Sequence, residues 1–590
     1  MSPKYIKFFC DIVSIISPNN IIKNKRDTLT GITMKGNRAL LQMLEDRGVE
    51  TMFGYPGGSV ISIYDEIMNS SINHVLVRHE QCAAHMADGF ARASGKPGVC
   101  IATSGPGVTN LITGIGTAYA DSTPMLALTG QVGTGSIGLG AFQEVDAYSL
   151  LMPITKHNFR VLDVDRLPHA VDEAWQICQT GRPGPVHIDL PSDQMNSDID
   201  ESLLGLTYGI KHPKENMTEI GTAIQWIKEA ERPVLLIGGG TINSNASAEV
   251  VKLAELIRAP CVFTLMGIGS VPTEHPLNLG PLGMHGRMCA LDTFHQADLV
   301  IAIGTKFSDR TFSSHTRFSK SCKVVQIDID GTEFDKHGNN DVNLLCDAKK
   351  GTQALIDGLT GYNTGHGDWD KAYSEYRKNC ICNMDINETP IVPQKVLFEL
   401  NKLIDKDHDM IVTTDVGQNQ MWAMHYLHVH KPRHFLSSGS FGTMGFGFPS
   451  AIGAKAAKPD STVVTITGDG GFQMVQQELA TAVTEDLPVV IVMLNNGWLG
   501  MVKQWQKLFW DRRYSETELG MIPNFSKIAE AYGARGMIVD KPGDIADALK
   551  TAIDSGETCL LDVHVDPEED VLPMLPANPN QSLIKGRCPY

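Results

Sequence analysis

Val463-Val-Thr-Ile-Thr-Gly-Asp-Gly-Gly471, then a helix-length segment, Pro488 and Val489-Val-Ile-Val-Met-Leu-Asn-Asn496, decide the fold. A β-branched, apolar run of strand length meets a glycine turn, and the next such run ends in polar residues. Short, fully apolar strands alternating with helices imply a parallel sheet covered on both faces. The pattern occurs twice. Thr103-Ser-Gly-Pro-Gly107 lies without gaps on Thr467-Gly-Asp-Gly-Gly471, and the same shift gives six identities between Val99 and Pro124: Val99 with Val463, Thr103 with Thr467, Gly107 with Gly471, Thr117 with Thr481, Ala118 with Ala482 and Pro124 with Pro488. Asp121 falls on Glu485. The matches sit at strand, turn and helix-end positions, so a duplicated, doubly wound α/β unit is predicted.

A third region follows the same logic with different turns: Pro233-Val-Leu-Leu-Ile-Gly-Gly-Gly240, a helix through Ala248 to Ile257, Ala297-Asp-Leu-Val-Ile-Ala-Ile-Gly-Thr305 and Lys323-Val-Val-Gln-Ile-Asp-Ile-Asp330. Polar stretches around Asn196 to Glu219 and Tyr362 to Thr389 read as linkers. The expected organisation is an extension over 1–33, α/β domains at 34–195, 215–360 and 390–565, and a tail over 566–590.

Composition narrows the function classes. Fifty Lys plus Arg against 67 Asp plus Glu give a formal charge of -17, which repels phosphate backbones and anionic membrane surfaces. Nucleic acid and membrane are therefore not expected partners. The 12 cysteines are scattered, with Cys380-x-Cys382 the one close pair, so reduced thiols in a cytosol-like compartment are expected. No apolar run approaches the roughly 18 to 20 residues of a membrane span, and Ile12 to Ile16 is too short for a signal-peptide core. Cytoplasm is the expected location, with a plastid stroma as the alternative.

Three strand ends carry candidate chemistry. Gly468, Asp469, Gly470 and Gly471 form a turn whose backbone amides can approach an anion such as a diphosphate. Taken alone, such a turn is a tight strand-to-helix connection. Adjacent strand ends of a parallel sheet share a ligand crevice, however, and there Asp469 and Asn496 offer hard oxygens suited to Mg²⁺. For Asn495-Asn496 the plain alternative is a turn with local side-chain bonds. His74-Val-Leu-Val-Arg-His-Glu80 reads as a strand ending in a carboxylate before a helix from Cys82 to Arg92, where Glu80 complements the helix dipole.

The Gly-Asp-Gly turn, an intervening stretch and Asn-Asn resemble the signature of thiamine diphosphate enzymes. That resemblance implies that Asp469, Asn496 and the Trp498 carbonyl hold Mg²⁺ on the cofactor's diphosphate. It also implies that Glu80 hydrogen-bonds the aminopyrimidine and so promotes deprotonation of the thiazolium. Met444, in Gly442-Thr-Met-Gly445, matches the residue that bends the cofactor; its plain alternative is core packing. Val416, Gly417, Gln418 and Asn419 match the second diphosphate turn, with Leu499 and Gly500 beside the first. Because Glu80 and Asp469 lie in different copies of the repeat, one cofactor must bridge two domains. In the family these come from different subunits, implying a homodimer or a dimer of dimers.

From Met34 onward the match narrows. Phe53-Gly-Tyr-Pro-Gly-Gly58, Arg78-His-Glu-Gln81, Ala141-Phe-Gln-Glu-Val-Asp146, Ile154-Thr-Lys-His-Asn158, Gly181-Arg-Pro-Gly-Pro-Val186, Gly283-Met-His-Gly286, Met444-Gly-Phe-Gly447 and Met501-Val-Lys-Gln-Trp505 together resemble the acetohydroxyacid (acetolactate) synthase large-subunit family. The resemblance implies decarboxylation of pyruvate and carboligation to a second pyruvate or to 2-oxobutanoate, toward valine, leucine and isoleucine. A small regulatory subunit is a further partner by the same token. Gly57, Phe142, Gln143, Lys156, Met501 and Trp505 match the family's substrate pocket and channel, and Arg310 the group that reaches an acceptor carboxylate. Outside that context Phe142 and Trp505 read as core packing and Lys156 as a solvated charge.

The middle domain resembles the family's FAD-binding domain. By resemblance, Arg182, Gly238, Gly239, Gly240, Thr264, Leu265 and Met266 line the flavin. Met284, His285 and Gly286 do so as well, with Gly304, Thr305, Lys306, Phe307, Ser308, Asp309, Arg310, Asp328, Ile329 and Asp347. From the residues alone the dinucleotide signal is weak, because Gly238-Gly-Gly240 lacks the third glycine of the full fingerprint. Pyruvate oxidases share this layout and are the nearest alternative. A nicotinamide oxidoreductase lacks the complete fingerprint and leaves the Gly-Asp-Gly to Asn-Asn spacing unexplained, and a noncatalytic scaffold leaves Glu80, Asp469 and Asn496 at three strand ends unexplained.

Overall fold

The computed structural model describes residues 31–212, 214–312, 319, 321–336, 341–362, 367–380, 382–575 and 583–584. The expectation that residues 1–33 form an extension falls almost wholly outside them. What is described of that stretch pairs: Thr33–Lys35 runs antiparallel to Asp198–Asp200.

Three six-stranded parallel sheets form the framework. In the first, the spatial order is Asn73–Leu76, Thr51–Tyr55, Gly98–Ala102, Met125–Gln131, Pro185–Pro191, His157–Arg160. In the third it is Phe435–Ser437, Ile411–Thr414, Val463–Gly468, Val490–Asn495, Cys559–His564, Arg535–Val539. Both follow the order 2-1-3-4-6-5 by position along the chain, so the duplication read from two glycine turns extends to the whole topology. The middle sheet differs. Its order is Asn278–Pro281, Cys261–Phe263, Pro233–Ile237, Leu299–Ile303, Lys323–Asp328, Asp341–Leu345, or 3-2-1-4-5-6. That is the doubly wound dinucleotide-type order, and its switch point lies between Pro233–Ile237 and Leu299–Ile303.

The inner strands are buried along nearly their whole length, as fully apolar runs require, while edge strands such as Asn73–Leu76 and Arg535–Val539 are partly exposed. The first and third domains share one apolar cluster, in which Phe53, Phe90 and Ile115 join Phe448, Phe472 and Phe525. At its centre the helix Glu80–Ser94 crosses Gly447–Ala457 at very close range. A Cβ on Gly89 would stand 2.1 Å from the Ser450 carbonyl oxygen, and one on Gly453 1.9 Å from that of Met86. Glycine at both positions lets the backbones touch.

One local expectation is corrected. Glu80 does not end a strand: Asn73–Leu76 stops earlier, and Glu80 is the first residue of the helix Glu80–Ser94. The N-cap is His79, whose Nδ1 accepts the Gln81 N–H at 3.1 Å, so the carboxylate occupies the first helical turn where the dipole favours it.

Candidate active site

In the third sheet the switch point lies between Ile411–Thr414 and Val463–Gly468, and the crevice beyond it gathers the predicted polar groups. Asp469 opens the short helix after Val463–Gly468, is 2% exposed, and leaves its Oδ2 without a partner. Burial pushes its carboxyl up to about 7 against the backbone N–H groups that favour the charged form. Asn496 lies one residue past the neighbouring strand. Its Oδ1 accepts the Trp498 N–H at 3.0 Å, and its Nδ2 donates to Gln418 Oε1 at 3.2 Å. The local turn anticipated for Asn495-Asn496 thus exists, yet an amide oxygen keeps a second lone pair for a ligand.

The other turn faces this one. Gly417 has φ +140, which a side chain rarely tolerates, and the Asn419 Nδ2 lies 3.3 Å and 3.4 Å from where Cβ atoms on Gly417 and Gly468 would stand. Asn419 Oδ1 is buried without a partner. A Cβ on Gly470 would lie 3.6 Å from Met444 Cε, so Met444 reaches over the turn instead of vanishing into the core. Asp415, fully buried, accepts the N–H groups of Val416 at 2.7 Å, Gly445 at 3.0 Å and Gly447 at 3.2 Å, and thereby joins the two segments.

Glu80 stands in a different setting. Asn110 Nδ2 donates to its Oε2 at 2.9 Å, and no hydrogen bond joins it to the Asp469 centre among the described residues. Nearby, a Cβ on Gly57 would strike Thr103 at 2.4 Å, and one on Gly105 (φ +62) the Gln143 carbonyl oxygen at 2.8 Å. Gly57, Thr103, Gly105 and Gln143 are therefore packed together on the first domain. Phe142 is 88% exposed, which excludes core packing for it.

A large cavity of about 1230 Å³, including its open mouth, lies where the three domains meet. Its floor is the middle sheet's switch point: Gly239, Gly240, Gly304 and Thr305, with Thr264 to Met266 on one side and Asp328, Ile329 and Asp347 on the other. A Cβ on Gly240 would stand 2.7 Å from the Gly304 Cα, so the strand ends approach as closely as a fingerprint glycine would allow. Arg182, Lys306 and Arg310 supply positive charge. Arg182 donates to Glu333 Oε1 at 3.0 Å and Ser122 Oγ at 2.8 Å, while Lys306 donates to the Ala120 carbonyl at 2.8 Å. Burial raises the Asp328 carboxyl to about 7. Arg310 reaches the third domain, donating to the Gly439 carbonyl at 3.2 Å and Gln420 Oε1 at 3.4 Å.

Comparison with known proteins bears on this arrangement. Family profiles of thiamine pyrophosphate enzymes match in chain order: the N-terminal TPP binding domain over residues 34–150, the central domain over 220–355 and the C-terminal TPP binding domain over 415–563. The probable acetolactate synthase large subunit of Methanocaldococcus jannaschii is 48% identical over 554 residues, covering 92% of this chain and 94% of that protein. The acetolactate synthase large subunit of Lactococcus lactis is 41% identical, covering 92% and 94%. The isozyme 3 large subunit of Escherichia coli is 40% identical, covering 92% and 96%. The chain belongs to the acetolactate synthase large-subunit family of thiamine pyrophosphate enzymes.

Within this acetolactate synthase framework most predicted residues converge on two places, the Asp469 crevice and the three-domain cavity. Others stand apart. Lys156 is no solvated charge: its ammonium donates to the carbonyls of Thr180, at 2.6 Å, and Ile177, and burial lowers it to about 8. Met284 and Gly286 line a separate small crevice with Pro573 and Leu575, and Gly238, His285, Phe307 and Asp309 are not on the cavity wall. For Met284, His285 and Gly286 the physical reason is Gly283: its φ of +128 turns the chain along the Arg310 carbonyl, to which the Met284 N–H donates at 3.3 Å. Phe307 packs in the middle domain's core, and Gly238 lies against the Gly304 carbonyl. Met501 packs on the third domain's core, while Trp505, on the same face of the helix Gly500–Phe509, is 38% exposed. Nothing within the chain joins that pair to Phe142 and Gln143 among the described contacts. Sequence reading missed Asn110, Asp415, Glu478 and the cavity residues Asp121, Gly439 and Ser440. Asp121 had a signal, since it falls on Glu485 in the repeat; its carboxylate accepts the Gly439 and Ser440 N–H groups at 2.8 Å.

Proposed function

We infer that this chain is the catalytic subunit of an acetolactate synthase that joins two 2-oxo acids with loss of CO₂, using thiamine diphosphate, Mg²⁺ and FAD. The observation that carries the reading is the buried, unpartnered Asp469 carboxylate oxygen at the switch point, facing Asn496 and a second glycine turn. A buried carboxylate without a partner is costly, and a hard cation satisfies it. The donor set fits: Asp469, Asn496 and the Trp498 carbonyl would hold Mg²⁺, and the Gly417 and Gly470 turns would receive the diphosphate. When bound, thiamine diphosphate supplies the carbon nucleophile and electron sink for decarboxylation.

The remaining chemistry falls to the chain's own residues. Glu80 holds or moves a proton at its carboxylate, oriented by Asn110. Asp415 fixes the two binding segments relative to each other. Gly57, Gln143 and the exposed Phe142 form one wall of a substrate pocket, with Met501 and Trp505 on the other. An apolar enclosure excludes water that would otherwise quench a reactive carbon by protonation. Arg310, at the junction of cavity and crevice, offers a planar fork for an acceptor carboxylate. Two pyruvate anions and one proton give 2-acetolactate and CO₂, a balance without net oxidation.

The cavity's glycine floor and cationic walls suit the diphosphate of FAD, and Asp328, at a strand end, suits a ribose hydroxyl. Because Glu80 and Asp469 lie on separate domains, and both pocket walls are incomplete within one chain, the working unit is a homodimer or a dimer of dimers. Relatives named as large subunits support a small partner subunit as well. A cytoplasmic setting goes with this acetolactate synthase reading, and no described helix is long and apolar enough to cross a membrane. Mixing the purified protein with pyruvate, Mg²⁺ and thiamine diphosphate and assaying 2-acetolactate tests the reading; absence of that product with all cofactors loaded overturns it.

A further inference from the structure

On a face unrelated to the cofactor crevice, the loop between Gln418–Tyr426 and Phe435–Ser437 presses His428 and His430 against Asp405, the cap of the helix Pro393–Ile404. Asp405 Oδ1 lies 2.9 Å from both His428 Nδ1 and His430 Nε2. Glu274, from the middle domain, places Oε2 2.5 Å from His430 Nδ1. The His430 ring, 7% exposed, therefore meets a carboxylate at each nitrogen.

A neutral imidazole has one N–H, so it can donate to only one of them. With that proton on the Glu274 side, the Nε2 lone pair points at Asp405 Oδ1, and His428 Nδ1 joins them. The three ligand atoms lie within 4.8 Å of one another. A cation among them turns mutual repulsion into coordination. A carboxylate behind the ring, as Glu274 is, is the usual arrangement that fixes the tautomer of a metal-ligating histidine.

The backbone holds the pair in place. Thr273 donates its N–H to the Val429 carbonyl at 3.0 Å, and its Oγ1 accepts the Val429 N–H at 2.8 Å, clamping the residue between the two histidines. Arg287 and Arg377 line the same hollow, but their guanidiniums donate to the carbonyls of His425 at 3.1 Å and of Thr273 and Glu274 at 3.4 Å. Asp405 is the one carboxylate among the three ligands, which disfavours a hard, all-oxygen cation. Two imidazoles and one carboxylate instead suit Zn²⁺, with water in the fourth position.

We propose that Asp405, His428 and His430 form a zinc site, oriented by Glu274, that ties the third domain to the middle domain. It is independent of the catalytic reading and of the Mg²⁺ ligands. The test is equilibrium dialysis of the chelator-treated, full-length protein against Zn²⁺, with metal counted per chain. One Zn²⁺ is expected, lost in His428→Gln and in His430→Gln, unchanged in His434→Gln, and bound about 10–100-fold more weakly in Glu274→Gln. Co²⁺ in its place should give d–d bands without the near-ultraviolet thiolate band that a cysteine site would show. Melting in chelator checks that each variant folds, and Asp405→Asn provides a third independent probe. Zn²⁺ uptake unchanged in the folded variants, or a thiolate band, overturns the proposal. So does absence of uptake with His430 titrating as an imidazolium by NMR, since the cluster would then be a protonated clasp.

Discussion

Glu478 accepts the backbone N–H of Arg78 at 3.0 and 3.2 Å, so a buried carboxylate of the third domain holds the segment that carries Glu80. The same group accepts Thr481 Oγ1 at 2.6 Å and is wholly buried. Hydrogen bonds to a charged partner contribute about 1.5–3 kcal/mol, and Glu478→Gln keeps the shape while removing the charge. It should fold, lower Tm, and reduce kcat by about tenfold, or ~1.4 kcal/mol of barrier. Glu80→Gln should instead lose ~10² or more in kcat with thiamine diphosphate binding retained. Steady-state kinetics beside calorimetry separates the two; an unchanged kcat in Glu478→Gln removes the positioning role.

Asp469 predicts a pH signature for metal binding. Its carboxyl is raised from 3.8 to about 7 in the folded protein, so its contribution to metal-free stability is full below about pH 4 and lost as pH rises to about 7. Mg²⁺ binds the charged form. The rise in Tm from Mg²⁺ with thiamine diphosphate should therefore grow between about pH 5 and 7 and level off above. Asp469→Asn should flatten that profile, and thermal melts across the range provide the check.

If FAD fills the three-domain cavity without redox work, turnover should persist under argon and the flavin spectrum should stay oxidised through many cycles. Acetate production that tracks oxygen consumption, with no acetolactate, would identify a pyruvate oxidase-type enzyme instead.

Trp505, half-exposed on the helix that starts beside Asn496, should contact the acceptor. Acceptors differing by one methylene are separated by about 1–3 kcal/mol in an apolar pocket. Trp505→Leu should reduce the preference for 2-oxobutanoate over pyruvate and leave decarboxylation intact. A competition between both acids, read as the ratio of the two products, decides; a constant ratio assigns Trp505 to packing.

The sheets were legible because their inner strands are buried on both faces: Leu299 to Ile303 is wholly apolar, the two threonines of Val463 to Thr467 are themselves buried, and glycine marks where each ends. The Asp469 and Asn496 positions followed, since ligand crevices form at strand ends, whereas Gly417 came from the family resemblance alone. What stayed hidden depends on contacts far apart in sequence. Asn110 approaches Glu80 only because two helices pack, and Asp121 lines the cavity only because a third domain brings Gly439 to it. Glu80 was placed on a strand because the apolar run before it continues to Val77; the His79 cap that starts the helix carries no apolar signal. The incomplete glycine fingerprint is explained by Gly304, distant along the chain, which gives the close approach that a third local glycine would otherwise provide.

Asp415 gives the crevice a mechanical property. By gripping Val416, Gly445 and Gly447 at once, it makes the turn proposed to receive the diphosphate and the segment carrying Met444 a single lever. Ordering one end orders the other, so the entropic cost of shaping the site falls once, on whichever part of the cofactor arrives first. Inorganic diphosphate alone should then preset the Met444 segment, and the intact cofactor should bind more tightly than its separated halves would suggest.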